Sequence, residues 1–259
     1  MIYQLLFQRG INKNMDRSIP KIIHYCWFGN KEKPNIVKKC ISSWEEHLKE
    51  YEIVEWNEKT FDINSNKFVK EAYEKGMYAF VSDYVRVYAL YNYGGIYLDT
   101  DVEVRKSFNN LLNNDSIWGF EEKNFIATST IGACKNNKLI KEFLDSYNDK
   151  SFVKKDGTVD TLTNVAIVSK MVKDLGINLD GTYQKIDGVA TFYPQEYFSP
   201  FDYINCYMKD GKNTYAVHHY YKSWLPVSTR IKTSIKKSMA FIIGGKNIAK
   251  IREVISANK

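Results

Sequence analysis

Apolar positions change period several times along this chain, and each change marks an element. Ile19 to Phe28 (IPKIIHYCWF) is β-branched and aromatic and stops at Gly29-Asn30, which predicts a buried first strand followed by a turn. Ile36, Cys40, Ile41, Trp44 and Leu48 then recur at helical spacing, and Tyr51 to Trp56 (YEIVEW) returns to a short strand. A β-α-β order of this kind predicts a parallel sheet covered by helices. Tyr78 to Tyr93 (YAFVSDYVRVYALYNY) is apolar on nearly every side and stops at Gly94-Gly95, so a buried helix is expected there. Within it only Asp83 and Arg86 carry charge, and they share one face. Ile96-Tyr97-Leu98 reads as a compact strand, followed by Asp99-Thr100-Asp101 and then Val102-Glu103-Val104. Further on, Leu139 to Tyr147 and Leu162 to Leu175 read as helices, and Thr191-Phe192-Tyr193 and Tyr215-Ala216-Val217 as strands, with His218-His219 directly after the last. No internal repeat or low-complexity linker interrupts this pattern, so the body reads as one domain.

Charge adds a second division. The 259 residues carry a formal net charge of +7, and from Pro226 to Lys259 there are eight basic residues against one acid, Glu253. The stretch up to Leu225 is therefore neutral, which argues against a basic nucleic-acid coat and against nucleic acid as a partner. An apolar fraction of 44% with only 14 Gly and 5 Pro argues against a disordered or fibrous chain. Cys26, Cys40, Cys134 and Cys206 show neither a C-x-x-C pair nor a zinc-type cluster, and they read as reduced core thiols of a cytosolic protein. The first residues lack the apolar core and cleavage site of a signal peptide, and no apolar run approaches the roughly 18 residues of a membrane span. A cytoplasmic protein is expected.

The candidate chemistry centres on Asp99 and Asp101. Two acids one residue apart can both approach one hard divalent cation where the backbone leaves strand geometry, and Mg²⁺ or Mn²⁺ prefers carboxylate oxygen. A bare D-T-D is equally a solvated turn. Its position after an inner apolar strand favours the site, because open α/β sheets bind ligands at the carboxyl ends of their strands. Asp83 and Arg86 could be a plain helix pair, yet burying an ion pair stabilises little, which favours a functional role. Such an Arg can bind phosphate oxygens and such an Asp can accept from sugar hydroxyls. His218 and His219, with Ser223-Trp224 shortly after, bring ring nitrogens that can reach a metal. Trp27, at the end of the first strand, is either core or a stacking face for a nucleobase.

The strings IPKIIHYCWFG, AFVSDYVRVYALYNYGGIYLDTDVEV and AVHHYYKSW resemble glycosyltransferase family 32. That is the group with a DXD sugar-binding region, which includes bacterial capsular polysaccharide transferases and yeast α-mannosyltransferases. More distantly they are similar to the large clostridial toxin glucosyltransferases. The resemblance runs from about Ile19 to Trp224 and implies an α/β, Rossmann-like GT-A fold with a mainly parallel central sheet; the domain reads as 19–225, after an N-terminal extension at 1–18, and the basic helical tail at 226–259 lies outside the resemblance. It implies a Mn²⁺ or Mg²⁺ cofactor and retention of anomeric configuration. The donor is a nucleotide sugar, UDP favoured over GDP, and the acceptor a polysaccharide or lipid-linked oligosaccharide of bacterial surface synthesis.

Carried over position by position, the resemblance has Trp27 stack the base, Asp83 bind sugar hydroxyls, and Arg86 touch sugar and phosphate. Asp99 contacts ribose and sugar, and Asp101 ligates the metal with His219 first and His218 second. Ser223 and Trp224 cover the diphosphate, and Asn164 faces the donor sugar or acceptor. A metal-dependent phosphohydrolase is the enzymatic alternative, although the further acids and histidines it normally needs are not apparent. The non-enzymatic alternative is a membrane-surface module driven by the tail. There, Lys and Arg interleave with Ile231, Ile235, Met239, Phe241 and Ile242, the composition of a helix lying on an anionic membrane, the alternative being a solvated helix packed on the body. A peripheral position at the inner face of the membrane is the corresponding expectation.

Overall fold

The computed structural model describes residues 18–122, 124–202, 205, 207–221 and 247. The expectations for the N-terminal extension, for Ser223 and Trp224, and for the basic tail lie outside the described residues.

The predicted β-α-β opening is present as β1 (Ile22–Cys26), α1 (Asn35–His47) and β2 (Glu52–Trp56), with β1 and β2 parallel. Helix α1 buries Val37, Cys40 and Trp44. Two further helices follow, α2 (Lys67–Glu74) and α3 (Tyr78–Tyr93). Helix α3 covers the apolar run expected to be helical, and it stops because Gly94 and Gly95 take φ values of +67° and +105°. No other residue fits there. A Cβ would come within 2.7 Å of the Lys135 nitrogen at Gly94 and within 2.6 Å of the Ile22 oxygen at Gly95. The sharp turn sends the chain straight into β3 (Gly95–Leu98), all four residues buried, which pairs in parallel with β1.

Next come β4 (Val102–Val104), β5 (Ser116–Glu121), β6 (Phe125–Ala133), α4 (Lys138–Asp145), α5 (Asn164–Asp174), β7 (Gln184–Ile186) and β8 (Ala190–Tyr193). The short strands β9 (Phe201–Asp202), β10 (Tyr207–Met208) and β11 (Ala216–His218) follow among the described residues. Seven strands form one sheet in the order β2-β1-β3-β6-β5-β8-β7. Antiparallel pairing of β6 with both β3 and β5, and of β7 with β8, leaves the other five strands pointing one way. The fold is the expected α/β type with a mainly parallel sheet.

Each face of the sheet buries its own core. Val81, Val85, Phe68, Phe143 and Phe152 pack on one side, and Trp44, Leu98, Val102, Phe108 and Phe198 on the other. The second layer is what carries β4. The Trp44 indole donates to the Val102 carbonyl at 2.7 Å, and the Ser43 hydroxyl accepts from the Val104 amide at 2.9 Å. β4 pairs antiparallel with β11, placing His218 opposite Val102 and Val217 opposite Glu103. One buried histidine ties the first layer together. His24 Nε2 lies 2.8 Å from the Gly94 carbonyl and Nδ1 accepts from the Trp56 indole at 3.2 Å, while burial lowers its pKa to about 4.

Candidate functional site

The end of β3 builds the site. The Asp99 amide donates to the Ser129 carbonyl at 2.8 Å, and the Val102 amide donates back to the Asp99 carbonyl at 2.9 Å, closing a tight turn over Thr100 and Asp101. That turn takes the two acids off strand geometry. β11 then delivers His218 from the far side, and ligand atoms of Asp99, Asp101 and His218 all lie within 4.8 Å of one another. Two carboxylates and an imidazole converging at a strand's carboxyl end form a donor set suited to a divalent cation. Nδ1 of His218 is buried and has no hydrogen-bond partner among the described residues, which leaves a ring nitrogen available to an ion. Asp99, Asp101 and His218 would hold the ion.

Segment 218–221 encircles Asp101. The Asp101 carbonyl accepts from the His219 amide at 3.0 Å, Oδ2 accepts from the Tyr221 amide at 2.7 Å, and Oδ1 lies 3.4 Å from His218 Nε2. Tyr220 makes this wrap at φ +51°, a left-handed conformation costly for an aromatic residue and common at functional turns. Burial opposes charge on both partners, yet the His218 ring and the Tyr221 amide outweigh it and hold the Asp101 carboxyl down at about 2. Asp101, followed by Asp99 and Glu121, likewise overcomes burial to push His218 up to about 8. Metal binding would displace that imidazolium proton.

The sequence expectation placed His219 first at the metal, and the structure reverses the order. His219 Nε2 turns away to Glu103 Oε2 at 2.9 Å, and Glu103 Oε1 also meets Arg105 at 3.1 Å. The pairing of β11 with β4 decides this, since it sends neighbouring side chains to opposite sides.

Arg86 sits beneath the cluster with its side chain 6% exposed. It reaches Asp83 at 2.8 Å, Asp99 at 3.3 Å, the Thr128 carbonyl at 2.7 Å and the Ser82 carbonyl at 3.3 Å, and its guanidinium lies 4.6 Å from the Tyr97 ring centroid. A guanidinium so occupied has little left to offer a phosphate, so Arg86 is a brace for two carboxylates rather than the expected ligand contact. Burial raises Asp83 to about 6 despite the opposing Arg86 charge. Asp83 and Asp99 are 17% and 26% exposed and remain the groups that can meet a ligand.

Asn164 also departs from expectation. It is 2% exposed, its amide donates to the Asp83 carbonyl at 2.9 Å, and its oxygen accepts from the Tyr147 hydroxyl. Rather than facing donor or acceptor, it holds the backbone under Asp83. Trp27 lies at the carboxyl end of β1, partly exposed, with its indole donating to the Lys31 carbonyl at 2.6 Å.

Sequence reasoning passed over Tyr97, whose hydroxyl donates to Asp99 Oδ1 at 3.0 Å, and Glu103. Both lie two residues from an acid already singled out, which is the strand period and could have marked them. Thr128 left no signal. Its carbonyl is freed by a register shift between Ile117 and Gly119 in the β5–β6 ladder, a bulge that pattern alone does not disclose.

Residues 34–118, spanning α1 to β5 and both acids, match the family model described as glycosyltransferase sugar-binding region containing DXD motif. That stretch is similar to a DXD-type glycosyltransferase sugar-binding region. His218 and β11 lie outside the matched residues, so the Asp99–Asp101–His218 cluster joins that stretch to a later segment. A curated relative, inositol phosphoceramide mannosyltransferase 3 of Schizosaccharomyces pombe, is 28% identical over 142 residues, covering 52% of this chain and 39% of the relative. The chain thus spans well under two thirds of that relative's length.

Two solved structures are similar at low scores. The PaToxG glycosyltransferase has a TM-score of 0.41 and 21% identity, over 49% of this chain and 60% of that one. A glycosyltransferase involved in glycosylating the major capsid of PBCV-1 has a TM-score of 0.42 and 12% identity, over 82% and 98%.

Proposed function

We propose that this protein is a metal-dependent, retaining glycosyltransferase. It moves a sugar from a nucleotide-sugar donor, UDP-linked in preference to GDP-linked, to a polysaccharide or lipid-linked oligosaccharide in bacterial surface or capsular synthesis. The observation that carries this reading is the convergence of Asp99, Asp101 and His218 beside the Asp83–Arg86 pair, with both acids inside the DXD region. The name of the fission-yeast relative pairs a glycosyl transfer with a lipid acceptor, which supports a lipid-borne acceptor here.

A bound Mn²⁺ or Mg²⁺ would supply positive charge opposite the diphosphate leaving group. Asp83 accepts from donor sugar hydroxyls, held in place by Arg86 and Asn164. Asp99, fixed by Tyr97 and Arg86, faces ribose and sugar and offers negative charge near a carbon that develops oxocarbenium character. Trp27 stacks the base at the carboxyl rim of β1. The reaction runs on one face: the bond from acceptor oxygen to the anomeric carbon forms as the carbon–phosphate oxygen bond breaks, and the acceptor proton passes to the departing phosphate. An inverted product, or a trapped glycosyl adduct on the protein, rejects this route.

The basic tail addresses the cytoplasmic enzyme to the inner membrane face, where a lipid-linked acceptor resides. Equal liposome co-sedimentation by the full chain and by a version ending at Leu225 rejects that address. The test of the reaction itself is a panel of UDP- and GDP-sugars scored for Mn²⁺-dependent donor hydrolysis and thermal stabilisation. Turnover or stabilisation by at least one donor is expected; indifference to all of them refutes the assignment.

A further inference from the structure

We propose that Glu103 and His219 form a latch that sets the metal affinity of the Asp99–Asp101–His218 cluster although neither residue ligates the ion; this rests on reading that cluster as a metal site. His218 reaches the cluster from β11, a strand of three residues whose ladder is with β4 alone among the described residues. Beyond it, the His219 amide and the Tyr221 amide both bond to Asp101. The Tyr221 amide bonds the Asp101 carboxylate that an incoming ion would claim, so that tie is compromised when the site fills, and the His219 amide holds only the Asp101 backbone carbonyl.

The contact between the His219 ring and Glu103 at 2.9 Å is different, because it anchors the turn to β4 through groups the ion leaves alone. Arg105 at 3.1 Å holds the other Glu103 oxygen and fixes the direction in which the carboxylate faces. The backbone through Tyr220 at φ +51° has little intrinsic reason to keep its shape, so a side-chain clasp beside it decides where His218 points.

The Glu103 and His219 side chains are each 30% exposed, and Glu103 borders an open polar cleft of about 480 Å³ with Lys38, Lys39, Ser42 and Glu46. A half-exposed pair of this kind adds little to folding stability. Removing it therefore leaves the protein folded while loosening His218. Groups that orient a metal ligand without touching the ion are typically worth about 10- to 100-fold in affinity.

Mn²⁺ binding to the full chain, read by the electron paramagnetic resonance of the free ion, tests this without any substrate. Glu103→Ala and His219→Ala are each expected to weaken binding about tenfold, and the double variant no more than either alone, because the two residues act as one unit. Glu103→Gln keeps an oxygen that accepts from the His219 Nε2–H and is expected to stay within about threefold of the unaltered protein. Asp101→Asn, the control for the ion site itself, is expected to abolish binding.

Unchanged Mn²⁺ affinity in both alanine variants overturns the latch. So does a His219→Ala variant as dead as Asp101→Asn beside an unaffected Glu103→Ala, since His219 would then be a ligand. A full chain that binds no Mn²⁺ removes the metal reading and the latch together, which separates that failure from the other two.

Discussion

The two halves of the site are built by opposite means. Asp83, Arg86, Tyr97 and Asn164 belong to one long buried helix, an inner strand and a helix N-terminus, and they fix one another through bonds that leave Arg86 only 6% exposed. Asp101 sits on a tight turn, Glu103 and His218 on two three-residue strands and His219 just beyond the second, and these four are held through segment 218–221 rather than by the core. One half is preorganised by the core, and the other is completed by a late segment folded back over it. Damage to the first should therefore be paid in stability, and damage to the second in ligand binding with the fold intact.

The largest expected effect lies in the rigid half. Arg86→Met leaves two carboxylates facing each other with no counter-charge, a loss of roughly 3–5 kcal/mol that thermal or urea unfolding will register. Asp99 and Asp83 then lose their bracing, so donor turnover disappears as well. A melting temperature close to that of the unaltered protein would show that Arg86 braces nothing.

His24 supplies a pH-dependent version of the same test. Its folded pKa of about 4 lies below the unfolded 6.5, so its contribution is complete above pH 6.5 and is lost as pH falls toward 4, by about 3 kcal/mol in all. Stability should fall between pH 6.5 and 4, and His24→Gln should flatten the part of that slope due to this ring. An identical slope in the variant contradicts the assignment.

Asn164→Ala comes next. It strands the Asp83 carbonyl and the Tyr147 hydroxyl for about 1–3 kcal/mol, and a raised KM for the nucleotide sugar but not for acceptor should accompany the loss. The smallest stability effects are expected in the second half. Glu103→Ala and His219→Ala should each change folding by under about 1 kcal/mol while weakening the metal site.

Legibility in the sequence follows the same division. Helix α3 and strand β3 are readable because a run apolar on all sides that ends in Gly-Gly is hard to place as anything but a buried helix and its stop, and Asp83, Arg86 and Asp99 lie on or beside them. The β5–β6 pair is not readable in this way. Its strands mix Gly119 and Gly132 with Ser116, Thr128, Ser129 and Thr130 and are buried on both faces, so they show neither alternation nor a pure apolar run. That gap hides the Thr128 carbonyl on which Arg86 depends.

In the second half the residue types are legible but their directions are not. Whether His218 or His219 faces the acids is set by the register of β11 on β4, a pairing of residues more than a hundred apart. Asn164 opens a helix just before the apolar run 165–168, and its polarity serves a buried junction.

The most direct measurement is calorimetric titration of UDP into the full chain with and without Mn²⁺, repeated on Asp101→Asn. Tight binding that requires Mn²⁺ in the unaltered protein, and a variant that stays folded yet gains nothing from Mn²⁺, is the predicted result. Binding that is indifferent to Mn²⁺ in both, or equally Mn²⁺-dependent in both, would contradict a metal-assisted nucleotide-sugar site at Asp99, Asp101 and His218.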